Sequence, residues 1–456
     1  MVDHAHRRLP RAPGVPGLEG VPDARLALHV PVLSGPIETS PERPAPRVRR
    51  RVLRGGLALI AALALLELAL RLLGPDLPGG QTLLYHPDDR GRYDGAATLE
   101  ELLQRSVMGF EPGTLWQGFV KNSRAFRTVE YGEAKPPGTF RVLVLGDSFA
   151  YSSGGVPYRS HWPELLRQLL AAERARPVEV LNLGVPAVDT AFEVRLWELE
   201  GSRLGADLVV LGFSVGSDFT DALGARRERS GLDRAARGSY LLRVVRNLAR
   251  IGELEPLDPA EAAPGGSQGR DLDIPPEARG RPLDEVLPGY TYRYDPLRPR
   301  YSPQAFLDLA ARSSWICDTT RTEPFRAVLA ELERELLALR DGVRAAGARL
   351  VVLLIPDVLQ VDLELRRELS ARLARPASEF DFRRPQRELA AVLARAGIEF
   401  LDLQPAFLRR GAEGERLYRL RGTHWNEEGN RLAASELAAF LLAPGGMLET
   451  TAWRAR

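Results

Sequence analysis

Five short apolar runs, each closed by a turn signal and mostly followed by a helical pattern, organise the C-terminal two thirds of the chain. They are "RVLVLGDS" (141–148), "VEVLNLG" (178–184), "LVVLGFSVG" (208–216), "RLVVLLIPD" (349–357) and "IEFLDLQP" (398–405). Near-continuous Val, Leu and Ile runs predict strands buried on both faces, as in a parallel sheet covered by helices. Helical periodicity surrounds them. From Phe325 to Ala346, the residues Val328, Leu332, Leu336, Leu339 and Val343 recur on one face before Gly347 ends the pattern. Alternating strands and helices predict an α/β class, a doubly wound three-layer α/β/α architecture with a central parallel sheet. In such a sheet the site lies beyond the carboxyl ends of the strands. The third and fourth runs are too far apart for a plain crossover, which predicts an insertion at about 219–320. Within it, "RGSYLLRVVRNLARIGEL" reads as a basic amphipathic helix. Leu241, Val244, Val245 and Leu248 would pack on the core, or Arg243, Arg246 and Arg250 would meet a membrane or substrate. Residues 255–303, rich in Pro and Gly, are expected to be irregular.

The N-terminal pattern differs. Residues 1–46 are rich in Pro and Arg without periodicity, the composition of a disordered tail. Residues 47–74 follow as a basic flank and an apolar helix: from Val52 to Leu73 only Arg54, Glu67 and Arg71 are charged. That length spans ~30 Å of hydrocarbon, and Glu67 and Arg71, four apart, can pair on a helix. The "RVRRRVLR" cluster before the span predicts a single-pass cell-membrane anchor with a cytoplasmic N-terminus and an extracytoplasmic (periplasmic) body. Residues 75–137 are expected to form a juxtamembrane segment packing on the core, 138–445 the α/β domain, and 446–456 a C-terminal tail.

Composition narrows the function classes. A formal net charge of +2 and 27% charged residues give no basic field for a nucleic-acid partner. The single cysteine, Cys317, excludes an internal disulfide framework and a cysteine-rich metal site. Of six histidines, three stand in the leader, leaving His86, His161 and His424 as candidate general bases.

The polar residues that carry chemistry fall at the strand ends. Ser148 follows the first run, where a sharp strand-to-helix turn would expose its hydroxyl near backbone N–H donors, with Gly146 permitting the turn. Gly184 ends the second run and could bring an N–H to an oxyanion formed at that turn. Ser217 and Asp218 end the third. His424 stands in "RGTHWNEEGN", ahead of a helix that Asn426 can cap and whose first turn Glu427 and Glu428 suit.

These blocks, in this order, resemble the SGNH (GDSL-type) hydrolases, an α/β/α family of esterases, lipases and carbohydrate deacetylases. "GDS" at Ser148, "NLG" at Gly184, "GSD" at Ser217 and "THW" at His424 carry the likeness over roughly 138–445. "NSRAFR" (122–127) and "DVLQVD" further resemble a membrane-anchored bacterial branch, and "THWN" the branch containing alginate O-acetylation proteins. The resemblance implies Ser148 as nucleophile and His424 as base. It implies an oxyanion hole from the Ser148 and Gly184 N–H groups and Ser217, and no metal or organic cofactor. An acylated glycan, a lipid or a small ester would be the substrate, cleaved or passed on to a sugar hydroxyl. Two positions depart from the family pattern. Its third-block Asn is Ser217, and its last-block acid falls on Gly422 or Arg421, neither a carboxylate. Asp402 and Asp357, at the ends of the fifth and fourth strands, are the substitute acids on the expected rim. The departures leave open a weakened protein that binds a glycan or partner without turnover.

Overall fold

Val, Leu and Ile on both faces of each run drive the five runs into one sheet. In this computed structural model they are β1 (Phe140–Gly146), β2 (Val178–Asn182), β3 (Leu208–Ser214), β4 (Arg349–Ile355) and β5 (Glu399–Asp402). The structure describes residues 46–74, 84, 93, 95–106, 108–173, 177–226, 235–236, 238–251, 274–444 and 448. His86 and the tails 1–45 and 449–456 lie outside the described residues. All neighbours pair in parallel, in the order β2-β1-β3-β4-β5. That is a doubly wound order whose direction reverses between β1 and β3, and in such sheets the site lies outside the carboxyl ends of the strands at that point.

Side chains alternating along each strand feed two cores, one on each face. Leu143, Leu145, Val209, Leu211, Val352 and Leu354 pack under the helices Thr190–Leu199, Thr322–Ala345 and Arg384–Arg395. Val142, Val144, Val210, Val351 and Leu353 pack under Trp162–Ala172, Leu363–Leu373 and Glu427–Leu442. This is the expected three-layer α/β/α fold. The expected 325–346 helix forms as Thr322–Ala345, burying Val328, Leu332, Leu336, Leu339 and Val343.

Among its described residues the insertion is less irregular than its composition suggests; residues 255–273 of the stretch expected to be irregular lie outside them. Arg281–Pro282 pairs with Phe119–Val120, which pairs in turn with Leu115–Trp116 in a small antiparallel sheet. The amphipathic segment forms the helix Tyr240–Ile251. Its facing differs from the core-packing expectation: Val245 and Leu248 are exposed while Arg243 is buried. The reason is that the Arg243 guanidinium is drawn inward by the carbonyls of Ala236 and Leu84. The side chains of Arg246 and Arg250 lie outside the described residues.

By contact the chain divides into residues 1–61 and 62–456, the sheet belonging to the second unit. The helix Pro46–Leu73 contains one stretch, Arg54–Leu73, long and apolar enough to cross a membrane, with none of its apolar window buried. This is consistent with a single-pass anchor.

Candidate active site

The serine side is built by the turn that leaves β1. Gly146 has φ 148°, and a Cβ there would meet the Gly212 carbonyl oxygen at 2.9 Å and Ala150 Cβ at 2.8 Å. Only glycine fits this approach of β1 to β3. Asp147 then caps the one-turn helix Ser148–Tyr151, its carboxylate accepting from Phe149 N–H at 2.9 Å. Ser148 is the first residue of that turn, where no preceding residue supplies an intrahelical acceptor for its N–H.

Two neighbours hold this turn in place. Asn182, buried at the end of β2, donates from Nδ2 to the Ala150 carbonyl at 2.7 Å, and its Oδ1 accepts from Gly184 N–H at 3.0 Å. Arg127, fully buried, donates to the carbonyls of Val156 at 3.0 Å and Tyr151 at 3.4 Å. The "NSRAFR" block thus reaches the segment that follows the serine.

Beneath the turn lie acidic groups. Ser217 Oγ donates to Asp147 Oδ2 at 2.7 Å. Asp218 accepts from Thr190 Oγ1 at 3.1 Å and Ser214 N–H at 2.8 Å. Burial pushes the Asp147 carboxyl up to about 6. Burial, then the charges of Asp218 and Asp147, push Glu193 well above the usual carboxylate range. Both Glu193 oxygens are buried without a hydrogen-bond partner, which suits a neutral acid.

The histidine arrives on a hairpin. Tyr418 pairs with Trp425, Arg419 N–H donates to the His424 carbonyl at 3.0 Å, and Gly422 N–H closes the tip on the Arg419 carbonyl at 3.1 Å. Asn426 caps the helix Glu427–Leu442, with Glu427 and Glu428 in its first turn, fixing the hairpin's exit. The tip is also stitched to the insertion. Arg300 and Tyr301 donate their N–H groups to the carbonyls of Leu420 and Arg421, and Leu420 N–H reaches the Pro296 carbonyl. From the same segment, Tyr292 donates to the Gly155 carbonyl at 2.9 Å, and Tyr294 lies under the Arg419 guanidinium.

The two sides meet. His424 Nε2 lies 2.8 Å from Ser148 Oγ, and its ring packs 5.0 Å from that of Phe149. Nδ1 lies 3.4 Å from Thr423 Oγ1. Among the described residues, no carboxylate stands within hydrogen-bond or ion-pair reach of the ring. Burial, then the charges of Arg300 and Arg419, lower the His424 pKa to about 4.

The other sequence candidates sit as follows. Gly184 is beside the turn, where a Cβ would meet Ala150 Cβ at 2.7 Å and Tyr151 N at 2.8 Å, but its N–H is engaged by Asn182. Ser217 is at the rim with its proton directed to Asp147. Asp357 and Asp402 are not at the ring. Asp357 caps Val358–Gln360, accepting from Leu359 N–H at 2.8 Å, and Asp402 accepts from Gln404 N–H at 2.9 Å. Each carboxylate satisfies the start of its own turn, which is why neither reaches across to His424. His161 is buried behind the serine turn, 3.4 Å from the Phe149 carbonyl.

Four contributors escaped the sequence reading. Asn182 stands two residues before Gly184, and Arg127 closes a block already singled out, so both had a local signal. Arg300 and Arg419 had none, because their approach to His424 depends on how the insertion folds back.

Residues 311–454 match the family described as "ALGX: SGNH hydrolase-like domain, acetyltransferase AlgX". The matched stretch contains His424 but not Ser148 or Gly184. No curated protein sequence matches the chain. Among solved structures, the acetyl xylan esterase AlAXEase aligns over 65% of this chain and 98% of its own, at 11% identity and TM-score 0.33. TesA aligns over 65% and 95%, at 14% identity and TM-score 0.30. A lipase/acylhydrolase from Enterococcus faecalis aligns over 66% and 93%, at 13% identity and TM-score 0.32. Values this low carry nothing about substrate.

Proposed function

We propose that the protein is a membrane-anchored serine esterase or acyl hydrolase working through a Ser148–His424 dyad. The observation that carries this reading is the 2.8 Å approach of His424 Nε2 to Ser148 Oγ at the sheet's switch point. With its proton on Nδ1, the ring accepts the Ser148 proton as Oγ attacks the ester carbonyl carbon, forming a tetrahedral oxyanion. Collapse expels the alcohol, which takes the proton back from Nε2, and leaves an acyl-Ser148 ester. Water, or a sugar hydroxyl in the transfer variant, repeats the sequence and frees the serine. The Ser148 N–H is the first oxyanion donor. Gly184 N–H and the Ser217 hydroxyl join it only by leaving Asn182 and Asp147. The dyad runs without the carboxylate that would stabilise an imidazolium, and two nearby arginines disfavour that cation further. Slow turnover follows, since disabling a triad acid costs about 10⁴ in kcat.

An acylated glycan, a lipid or a small ester is the proposed substrate class. The basic residues before Arg54–Leu73 favour a cytoplasmic N-terminus and an extracytoplasmic (periplasmic) body. A second reading is favoured by the missing carboxylate and the two engaged donors: a binding protein for a glycan or partner that does not turn over. Hydrolysis of p-nitrophenyl acetate by the full chain in detergent, against Ser148→Ala and His424→Gln, separates the two. Equal rates in all three would leave only the binding reading.

A further inference from the structure

A helix on the surface of a water-soluble body turns apolar residues inward and polar ones outward. The described side chains of the helix Tyr240–Ile251 do the reverse. Arg243 and Asn247, one turn apart, are each only 7% exposed, whereas Val245 and Leu248, three apart on another face, are 48% and 51% exposed. Leu241, Leu242 and Val244 beside them are only partly buried. A single exposed leucine needs no explanation. The inversion does: two carbonyls offset the burial of Arg243, but among the described residues nothing offsets baring a valine and a leucine to water.

The occupant of the bare face is indicated by what holds the helix. Its N-terminus is fastened to the apolar span itself. Glu67 accepts from Tyr240 N–H at 2.9 Å, Leu241 N–H at 2.9 Å and Ser239 Oγ at 2.8 Å. Arg71 pairs with Glu67 at 2.8 Å, donates to the Gly238 carbonyl, and lies 5.2 Å from the centre of the Tyr240 ring. A carboxylate within an apolar span is costly unless satisfied, and here the first N–H groups of a second helix satisfy it. Glu67 stands six residues before Leu73, about 9 Å short of the end of the span at 1.5 Å per residue. The start of the second helix is therefore held within the outermost turns of the segment that would lie in hydrocarbon. Tyrosine and arginine at that level are the side chains expected where acyl chains meet headgroups.

We propose that the helix Tyr240–Ile251 lies in the lipid interface at the C-terminal end of the span, with Val245 and Leu248 against acyl chains. It forms a second membrane contact, fastened to the first by Glu67 and Arg71. The proposal rests on the reading of Arg54–Leu73 as an anchor.

The test uses the full chain in phosphatidylcholine–phosphatidylglycerol vesicles. The only native thiol, Cys317, is buried, so Val245→Cys, Leu248→Cys, Leu65→Cys in the span and Arg326→Cys on the exposed face of Thr322–Ala345 each take one environment-sensitive fluorophore. Expected is quenching of the 245 and 248 labels by acyl-brominated lipid to at least half the extent seen at 65. Quenching by aqueous iodide should be at least threefold weaker there than at 326. Labels at 245 and 248 that behave like 326, with 65 still in lipid, overturn the proposal alone. Labels shielded from both quenchers overturn it in favour of a protein partner. A label at 65 open to iodide overturns the anchor reading and the proposal with it.

Discussion

The two halves of the candidate site are built to different standards. On the serine side the polar groups that hold the turn have answering groups, although Tyr151 OH and Ser152 Oγ have none among the described residues. Asp147 caps, Ser217 holds Asp147, Asn182 bridges Ala150 and Gly184, and Arg127 gathers two carbonyls. On the histidine side the ring has a serine on one nitrogen, a threonine 3.4 Å from the other, and arginine charge nearby. In the proposed dyad, one half fixes where the attacking oxygen sits. The other leaves the strength of the base to its surroundings. Position and basicity are thus supplied by separate parts of the chain, and they can be altered separately.

The largest expected effect removes the oxygen. Ser148→Ala should cut acetate-ester turnover by about 10³-fold or more, to the uncatalysed background, with melting temperature little changed. A rate unaffected by this substitution would return the site to the binding reading. Next comes the base. A Cβ at Gly422 would lie 3.1 Å from Arg419 Cβ and 3.4 Å from Arg300 Cβ, so Gly422→Asp brings a carboxylate beside both arginines. Offsetting that cationic field should raise kcat by about 10-fold to 10²-fold, part of what a triad acid supplies. No gain in a folded variant would mean that basicity is not what limits the rate.

A smaller effect tests the serine side as a scaffold. Asn182→Ala leaves the Ala150 carbonyl and Gly184 N–H unsatisfied and should cost about 2 kcal/mol in urea denaturation. It also releases the Gly184 N–H, so stability and rate should move in opposite directions if that donor serves the oxyanion. The smallest effect is on pH. The proposed base, His424, acts only when neutral, and burial and the arginines lower its pKa to about 4. The acid limb of kcat/KM should therefore fall as pH drops through about 4, well below the ordinary histidine range. Arg419→Gln removes a cation, stabilises the imidazolium and should move that limb upward. An inflection near 6 that vanishes in Asp147→Asn would report Asp147 instead, whose carboxyl burial raises to about 6.

How much of this was legible follows from the range of each signal. Burial on both faces writes itself locally into runs such as Val142–Leu145, so the strands, their class and the rim could be read directly. Gly146 and Asp147 are equally local. The bond from Gly184 N–H to Asn182 is local, two residues back, whereas the bond from Ser217 Oγ to Asp147 joins the ends of two strands, and spacing along the chain does not encode that. The amphipathic helix was recognised from its period, yet the period names a face and not its environment. Arg243 turned inward because two carbonyls outside the helix accept its guanidinium.

The hydrogen bonds that sew Pro296–Tyr301 to Leu420 and Arg421 give the insertion a lever on the base without touching the sheet. Shortening or stiffening that crossing segment would shift the His424 ring against Ser148, so the reach of the insertion sets the meeting of ring and hydroxyl as much as the sheet does.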